Sequence, residues 1–485
     1  MRHNPRTSFN NQLCWLAFAI TLIAGSGIAL AQKKPAIDKP KNIIILFADG
    51  VAGTQIDFGR YSSELLRQQE FALTSIVMNQ GSFGLMHTES ATAYVTDSAA
   101  AGSAMSIGQK VNNGVISITP DGRSPSTILA LAKQQGKKIG IISTAAIYDA
   151  SPAAFTVHAK SRRDSEHIVN QYAELMPDVL MGGGADYFKP KNEIGGKRQD
   201  GRNMIDFFKA KNYQVVQDTK QLAGIKPGKV LGLFSDEDLD FEIDRDTALQ
   251  PSLAQMLGAA LQALAGQLTP RSNGFILFVE NENTDSAGHR NDVAALMRDL
   301  WSFDDAIKVA IAFQKKSPDT LIIVTSDHET GGFSPTYGRK NNGPSGANNY
   351  LNVTASELKQ IAEYKISLQE ATDQLALKRK EGYSKEKLSE FLSEQLLKNF
   401  PELNLDADLR EKILLNQSLG LNFNYSTANS LGLAIARQTG FYWGTSGHTS
   451  EPVIVAAIGP GAKIFNGYLD NTDFAKKIKQ LLEIQ

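Results

Sequence analysis

Short apolar runs alternate with longer segments of helical spacing from residue 41 to residue 334. The runs 43–48, 139–143, 178–181, 275–280 and 321–326 carry few polar side chains, which predicts strands buried on both faces. Between them, 125–135, 164–175, 251–268 and 292–314 repeat their apolar residues every three to four positions, which predicts helices. Strand–helix alternation of this kind implies a mostly parallel central sheet covered on both sides, a three-layer α/β/α sandwich. Residues 338–350 are rich in Gly and Asn and read as a loop. From 354 to 417 the pattern changes to Lys, Glu, Gln and Leu at helical spacing. Thr354-Ala355-Ser356-Glu357 has the form of a capping box, and Asp406 or Asp408 can cap a later helix. The expectation is a core over 41–485 with a helical insertion at about 338–440. The core then resumes near His448 and ends on a strand at 453–458. The last residues, 473–485, read as an amphipathic helix.

The N-terminus has a different character. Arg2 and Arg6 precede the apolar stretch Leu13 to Ala24, and Ala29-Leu30-Ala31 puts small residues at the −3 and −1 positions of a cleavage site. This predicts a signal peptide over 1–31, a linker over 32–40, and a periplasmic or extracellular protein without a membrane anchor after cleavage. The apolar run is short and broken by Gly25-Ser26-Gly27, which argues against a permanent span. The one cysteine, Cys14, lies inside the signal. A processed chain therefore has no thiolate to offer, and a metal would have to be held by Asp, Glu, His or Ser. With 485 residues, 42% hydrophobic and 21% charged, the chain can build one large α/β domain or two smaller ones. A net charge of −1 gives no global field for nucleic acid or an anionic membrane, so anion binding must be local.

Chemistry-bearing residues cluster at the ends of the predicted strands. Asp327-His328 follows the run 321–326, and Glu329 next to it has no role derivable from sequence. Glu280 ends the run 275–280, with Asp285 and His289 just downstream, and Asp49 follows 43–48. Three strands delivering carboxylates and imidazoles to one sheet edge read as a multinuclear metallo-hydrolase. Ser98 stands before a helix of small residues, 99–105, that Asp97 or Thr96 can cap. A helix N-terminus there favours an incoming phosphate. His87 and His158 read as ordinary core or surface histidines, His167 as exposed on a helix, and His3 as part of the signal.

These motifs, in this order, resemble the alkaline phosphatases. The matching stretches are Asn42-Ile-Ile-Ile-Leu-Phe-Ala-Asp49-Gly50, Val95-Thr-Asp-Ser98-Ala, Ser151-Pro152-Ala153, His158-Ala-Lys-Ser-Arg162, Leu180-Met-Gly-Gly-Gly184 and Glu242-Ile-Asp-Arg245. Val279-Glu280, Asp285-Ser-Ala-Gly-His289, Thr325-Ser-Asp327-His328 and Gly447-His448-Thr449 complete the set. They span the core but not the insertion. The resemblance implies a phosphomonoesterase with two zinc ions and one magnesium ion. Asp285, His289 and His448 would hold the first zinc; Asp49, Asp327, His328 and Ser98 would hold the second. Asp49, Ser151 and Glu280 would hold magnesium, an oxygen-only set that suits it. Ser98 would be the nucleophile and pass through a phosphoserine, and Arg162 would clamp the phosphate. Asp149 would orient Arg162 or the waters on magnesium.

Small phosphate monoesters and inorganic phosphate are the implied ligands, and relatives are commonly homodimers. Ser286 departs from relatives that place Lys, His or Trp there, so phosphate would be held less strongly. A phosphodiesterase or sulfatase of the same superfamily is the nearest alternative, and a non-catalytic phosphate- or metal-binding protein the alternative of another class. The context of Ser98 lacks the Pro-x-Arg type motif of a sulfatase.

Overall fold

The computed structural model describes residues 38–266, 268, 272–339 and 350–484. The expected signal peptide, most of the linker and most of the Gly/Asn-rich loop lie outside the described residues. Ten strands form one sheet: β1 (Asn42–Ala48), β2 (Ser82–His87), β3 (Lys138–Ala146), β4 (Val179–Gly183), β5 (Gln214–Val216), β6 (Val230–Leu233), β7 (Phe275–Asn281), β8 (Thr320–Thr325), β9 (Val453–Ile458) and β10 (Gly467–Asp470). Their order is β10-β2-β9-β8-β1-β7-β3-β4-β6-β5. Only β9 runs against its neighbours, pairing antiparallel with both β2 and β8. This is the expected mostly parallel sheet with flanking helices.

Every residue of β1 is buried. Its side chains alternate between two cores. Ile44, Leu46 and Ala48 face the helices Leu253–Ala265 and Val293–Lys316. Ile43, Ile45 and Phe47 face the helices Ile128–Gln134, Ser165–Leu175 and Asn471–Leu481. Burial on both faces is why the central strands read as continuous apolar runs, and each such side chain contributes about 1.5–3 kcal/mol.

Several details differ from expectation. The strand 453–458 is not the last, because β10 follows it. The outer strands β10 and β5 and their inner neighbours β2 and β6 also have no strong signature. Their short lengths and, in β2, exposed Phe83 and Leu85 weaken the apolar pattern. The expected insertion contains the helices Ala355–Ala362, Leu368–Lys380, Lys385–Asn399 and Ala407–Leu415. Thr354 closes the predicted capping box with Glu357. Asp406 stands at the N-cap of Ala407–Leu415 but caps nothing with its side chain, which pairs with Arg437 instead. The helix Ser426–Thr439 falls within the expected insertion and is largely buried, packing on the helices Leu368–Lys380 and Ala407–Leu415.

Because β3, β7, β1 and β8 are adjacent and parallel, their carboxyl ends share one edge. Ser143 stands opposite Glu280, Glu280 opposite Phe47, and Phe47 opposite Thr325. Asp49 and Asp327 follow within two residues of these ends.

Candidate active site

At that edge, Asp49, Asp327 and His328 converge, each at most 1% exposed. His328 Nε2 lies 3.1 Å from Asp327 Oδ2 and 3.7 Å from Asp49 Oδ1. Ser98 Oγ lies 3.1 Å from the same Nε2. Ser98 is the first residue of the helix Ser98–Ile107, whose N-cap is Asp97. The Asp97 carboxylate accepts from Ala100 N at 2.9 Å and from Gly114 N at 2.9 Å. The Ser98 hydroxyl is therefore held where the helix dipole is most positive. Ser151 Oγ donates to Asp49 Oδ2 at 3.2 Å, and Ser143 Oγ donates to Glu280 Oε2.

A second cluster lies beside the first. The helix Asn283–Arg290 places Asp285 and His289 one turn apart, with Nε2 and Oδ2 3.0 Å from each other. His448 arrives from a short strand after the insertion, its Nε2 3.8 Å from Asp285 Oδ1 and 3.3 Å from His289 Nε2. The imidazoles are oriented by their other nitrogens. His289 Nδ1 is 2.6 Å from Ser446 O and His448 Nδ1 2.8 Å from Thr96 O. Both Nδ1 atoms are thus donors, which leaves the Nε2 lone pairs free to act as ligands.

The electrostatics suit cations. Burial first, then the charges of Asp327, Asp285 and Glu280, push the Asp49 carboxyl well up. Glu280 is pushed up to about 8, mainly by burial, with Asp149 adding. Asp327 rises to about 7 through burial and Asp285. Asp49 Oδ1, Asp327 Oδ2 and Glu280 Oε1 are buried and accept no hydrogen bond. Orphaned carboxylate oxygens at this density are costly unless positive charge meets them. Asp49, Asp327 and His328 offer the mixed O/N donors that zinc accepts, and so do Asp285, His289 and His448. Asp49, Ser151 and Glu280 offer oxygen alone.

Arg162 is tied to two carboxylates. Its Nη2 donates to Asp149 at 3.2 and 3.3 Å, and its Nη1 lies 3.4 Å from Asp97 Oδ2. Burial works against its charge, but Asp149 and Asp97 outweigh burial and raise its pKa. Thus the structure brings together Ser98, Asp49, Ser151, Glu280, Asp285, Asp327, His328 and His448, with His289 beside them and the Arg162–Asp149 pair at their rim. It leaves His87 on the sheet edge with Glu89 and Asp470, His158 against Pro125 O, and His167 exposed.

Several contributors had only adjacency as a signal. Thr330 Oγ1 donates to Asp285 Oδ1 and lies 3.2 Å from His328 Nδ1, bridging the clusters. Glu329 accepts from Gln55, Thr449 and the amides of Gly332 and Phe333, which fixes the turn after β8. Gly50 has φ +72°, and a Cβ there would stand 2.7 Å from Asp285 Oδ1, so only glycine fits. Asn429 of the helix Ser426–Thr439 donates to His289 O at 3.0 Å.

Comparison with known proteins agrees with this geometry. Residues 40–484 match the family model described as alkaline phosphatase. The chain is 32% identical over 466 residues to alkaline phosphatase 3 of Bacillus subtilis (strain 168), covering 94% of this chain and 92% of that protein. It is 30% identical over 474 residues to alkaline phosphatase 4 of the same organism, covering 95% and 94%. The crystal structure of Thermus thermophilus alkaline phosphatase superposes with a TM-score of 0.81 at 27% identity, covering 96% of each chain.

Proposed function

Given that the chain belongs to the alkaline phosphatase family and is a phosphomonoester hydrolase, we propose that Ser98 is its nucleophile and that two zinc ions and one magnesium ion serve it. The observation that carries this reading is Ser98 Oγ at a helix N-terminus, 3.1 Å from His328 Nε2 and beside three orphaned carboxylate oxygens. Asp285, His289 and His448 would hold one zinc. Asp49, Asp327, His328 and the Ser98 oxygen would hold the other, and Asp49, Ser151 and Glu280 would hold magnesium. When bound, these ions lower the pKa of coordinated oxygens and offset the charge on the attacking and leaving oxygens.

The chain's own residues do the rest. Ser98 Oγ attacks phosphorus in line, forming an Oγ–P bond as the ester P–O bond breaks and the alcohol departs. Water then hydrolyses the phosphoserine, releasing phosphate and restoring the hydroxyl. Arg162, pre-oriented by Asp149, donates its planar fork to two non-bridging oxygens. A monoester offers more free oxygens to that fork than a diester.

Outside the described residues, the pattern of 1–31 supports secretion, and a secreted product would begin at Gln32. No helix among the described residues is long and apolar enough to cross a membrane. A homodimer is proposed from the family resemblance alone, and sizing in solution tests it.

Ser98→Ala tests the mechanism. It should lower kcat by at least about 10³ while leaving the metals in place, because water must then attack directly. Acid quenching with labelled phosphate should mark wild type only. Label on the variant would place the nucleophile elsewhere.

A further inference from the structure

A cavity of about 520 Å3 opens beside the helix Asn283–Arg290 and is closed on its far side by the start of the inserted helix Leu368–Lys380. Glu282, Ser286 and Arg290 line it at four-residue spacing. It therefore runs along the helix face next to the one that presents Asp285 and His289. Its inner wall adjoins the reacting centre through that helix. Ser286 and Arg290 line the cavity and directly follow Asp285 and His289 on the same helix.

The lining is strongly one-sided, with seven carboxylates against Lys365 and Arg290. These acids come from three separate stretches of chain, 237–244, 282–290 and 365–373, so they meet only in the fold. Arg290 is already engaged. Its guanidinium lies over the rings of Phe241 and Tyr425, at 5.8 and 5.1 Å, and it donates to Gln369 and to Ser286 O. Across the cavity, Asp240 of the core faces Glu370 of the inserted helix. Burial together with that like charge raises the Asp240 carboxyl. Asp244 is raised to about 6, mainly by burial, with Asp292 and Glu370 adding to it. A separate observation points the same way: Glu282 Oε2 is buried and accepts no hydrogen bond. Like charges that converge from opposite walls on an open volume favour a cation between them.

We propose that this cavity receives the alcohol portion of the ester and selects phosphate monoesters whose alcohol bears an ammonium group. The proposal rests on the phosphomonoesterase reading of the Ser98 site and adds the charge of the leaving group to it. With the phosphate held between Ser98 and Arg162, the alcohol extends past Ser286, whose small side chain leaves the cavity mouth open. An ammonium there meets carboxylates from both walls, whereas a second anionic group meets the same carboxylates at a cost. The volume is that of a small-molecule site.

Three primary alkyl phosphates that differ mainly in the charge of the alcohol test this: phosphocholine, glycerol 3-phosphate and 3-phosphoglycerate. At low ionic strength kcat/KM should fall in that order, by about tenfold at each step, and the spread should shrink as salt is added. Asp240→Asn combined with Asp373→Asn should reduce the phosphocholine to glycerol 3-phosphate ratio by about tenfold, and Glu370→Gln alone should reduce it by less. Equal kcat/KM for all three esters at low salt would overturn the inference and leave the phosphatase reading intact. Turnover of an aryl phosphate with none of the three esters hydrolysed would likewise overturn the inference, whereas loss of aryl phosphate turnover as well would overturn the reading of the Ser98 site.

Discussion

The two candidate metal-binding clusters use the same donor types but are built and charged in opposite ways. Asp49, Asp327, His328 and Glu280 stand at strand ends, each at most 1% exposed. His289 and His448 come from a helix and a returning segment, with side chains 20% and 14% exposed. The strand-end group holds three carboxylates to one imidazole. It cannot neutralise itself, and its carboxyls are driven up. The helix group holds one carboxylate to two imidazoles. There His289 and His448 outweigh burial and hold Asp285 well below the usual carboxylate range, while Asp285 raises His289. Without cations the helix group is an ordinary ion pair, whereas the strand-end group is a concentration of unmatched negative charge. Burial and charge balance therefore separate. The more buried group is the one with unmatched charge to offset, and the more exposed one balances its own charge.

The largest test of this contrast is the pH dependence of the metal-free protein. Carboxyls raised in the fold contribute stability that is fully present below their unfolded values, near 4, and is lost as pH rises through their folded values. For Asp327, at about 7, and Glu280, at about 8, the window is about pH 4 to 8. The Tm of the chelated protein should fall between pH 5 and pH 8, by the equivalent of a few kcal/mol, and zinc plus magnesium should abolish the slope. Asp285 has the opposite sign. Its stability is present above the usual carboxylate range and is lost as pH falls through its depressed value. A metal-free Tm that is flat or rising from pH 5 to 8 would break the contrast.

Removing one ligand from each group sharpens it. His448→Ala should lose about one equivalent of zinc and at least about 100-fold in activity, since losing even a partner of a ligand costs up to roughly that much. Glu280→Gln should lower magnesium content first. Fully active protein carrying a single metal ion would contradict two separate groups.

Thr330→Val removes the hydroxyl that joins the groups through Asp285 and His328. Zinc affinity should fall by about tenfold at one group or both. Unchanged affinity at both, measured by chelator competition, would make the bridge incidental.

The smallest effect is expected from trimming residues 355–417 with a Gly-Ser bridge while keeping the helix Ser426–Thr439. Turnover of a small aryl phosphate should stay within about tenfold. Extending the cut to residue 440 removes Asn429 and its bond to His289 O, so only the helix group should then lose zinc. Loss of the strand-end metals instead would reverse the comparison.

Much of this site could be read before the fold was known, for a physical reason. A strand buried on both faces of a parallel sheet must be apolar throughout, so the first carboxylate after such a run stands at the sheet edge. Asp49, Glu280 and Asp327 were legible on that ground, and His289 from its helical spacing to Asp285. Ser98 was legible as the start of a capped helix. The bridging role of Thr330, the partnership of Ser143 with Glu280 and the engagement of Glu329 were not. Threonine, serine and glutamate occur everywhere in a chain, and their roles depend on which strand ends lie next to each other. The strand order placed β1 between β7 and β8, and no local pattern encodes that order.

The sequence by itself determined the sheet class, the central strands, the helical character of 354–417 and which carboxylates and imidazoles were candidates for one shared site. All of these follow from periodicity, from capping chemistry or from a resemblance carried by short motifs. Only the tertiary structure decided that Asn429 inside the expected insertion supports His289, that β9 runs against the sheet, and that carboxylates from three distant stretches enclose one cavity. Those features depend on distances between residues far apart in the chain. They are fixed by how whole elements pack, and not by what any element is made of.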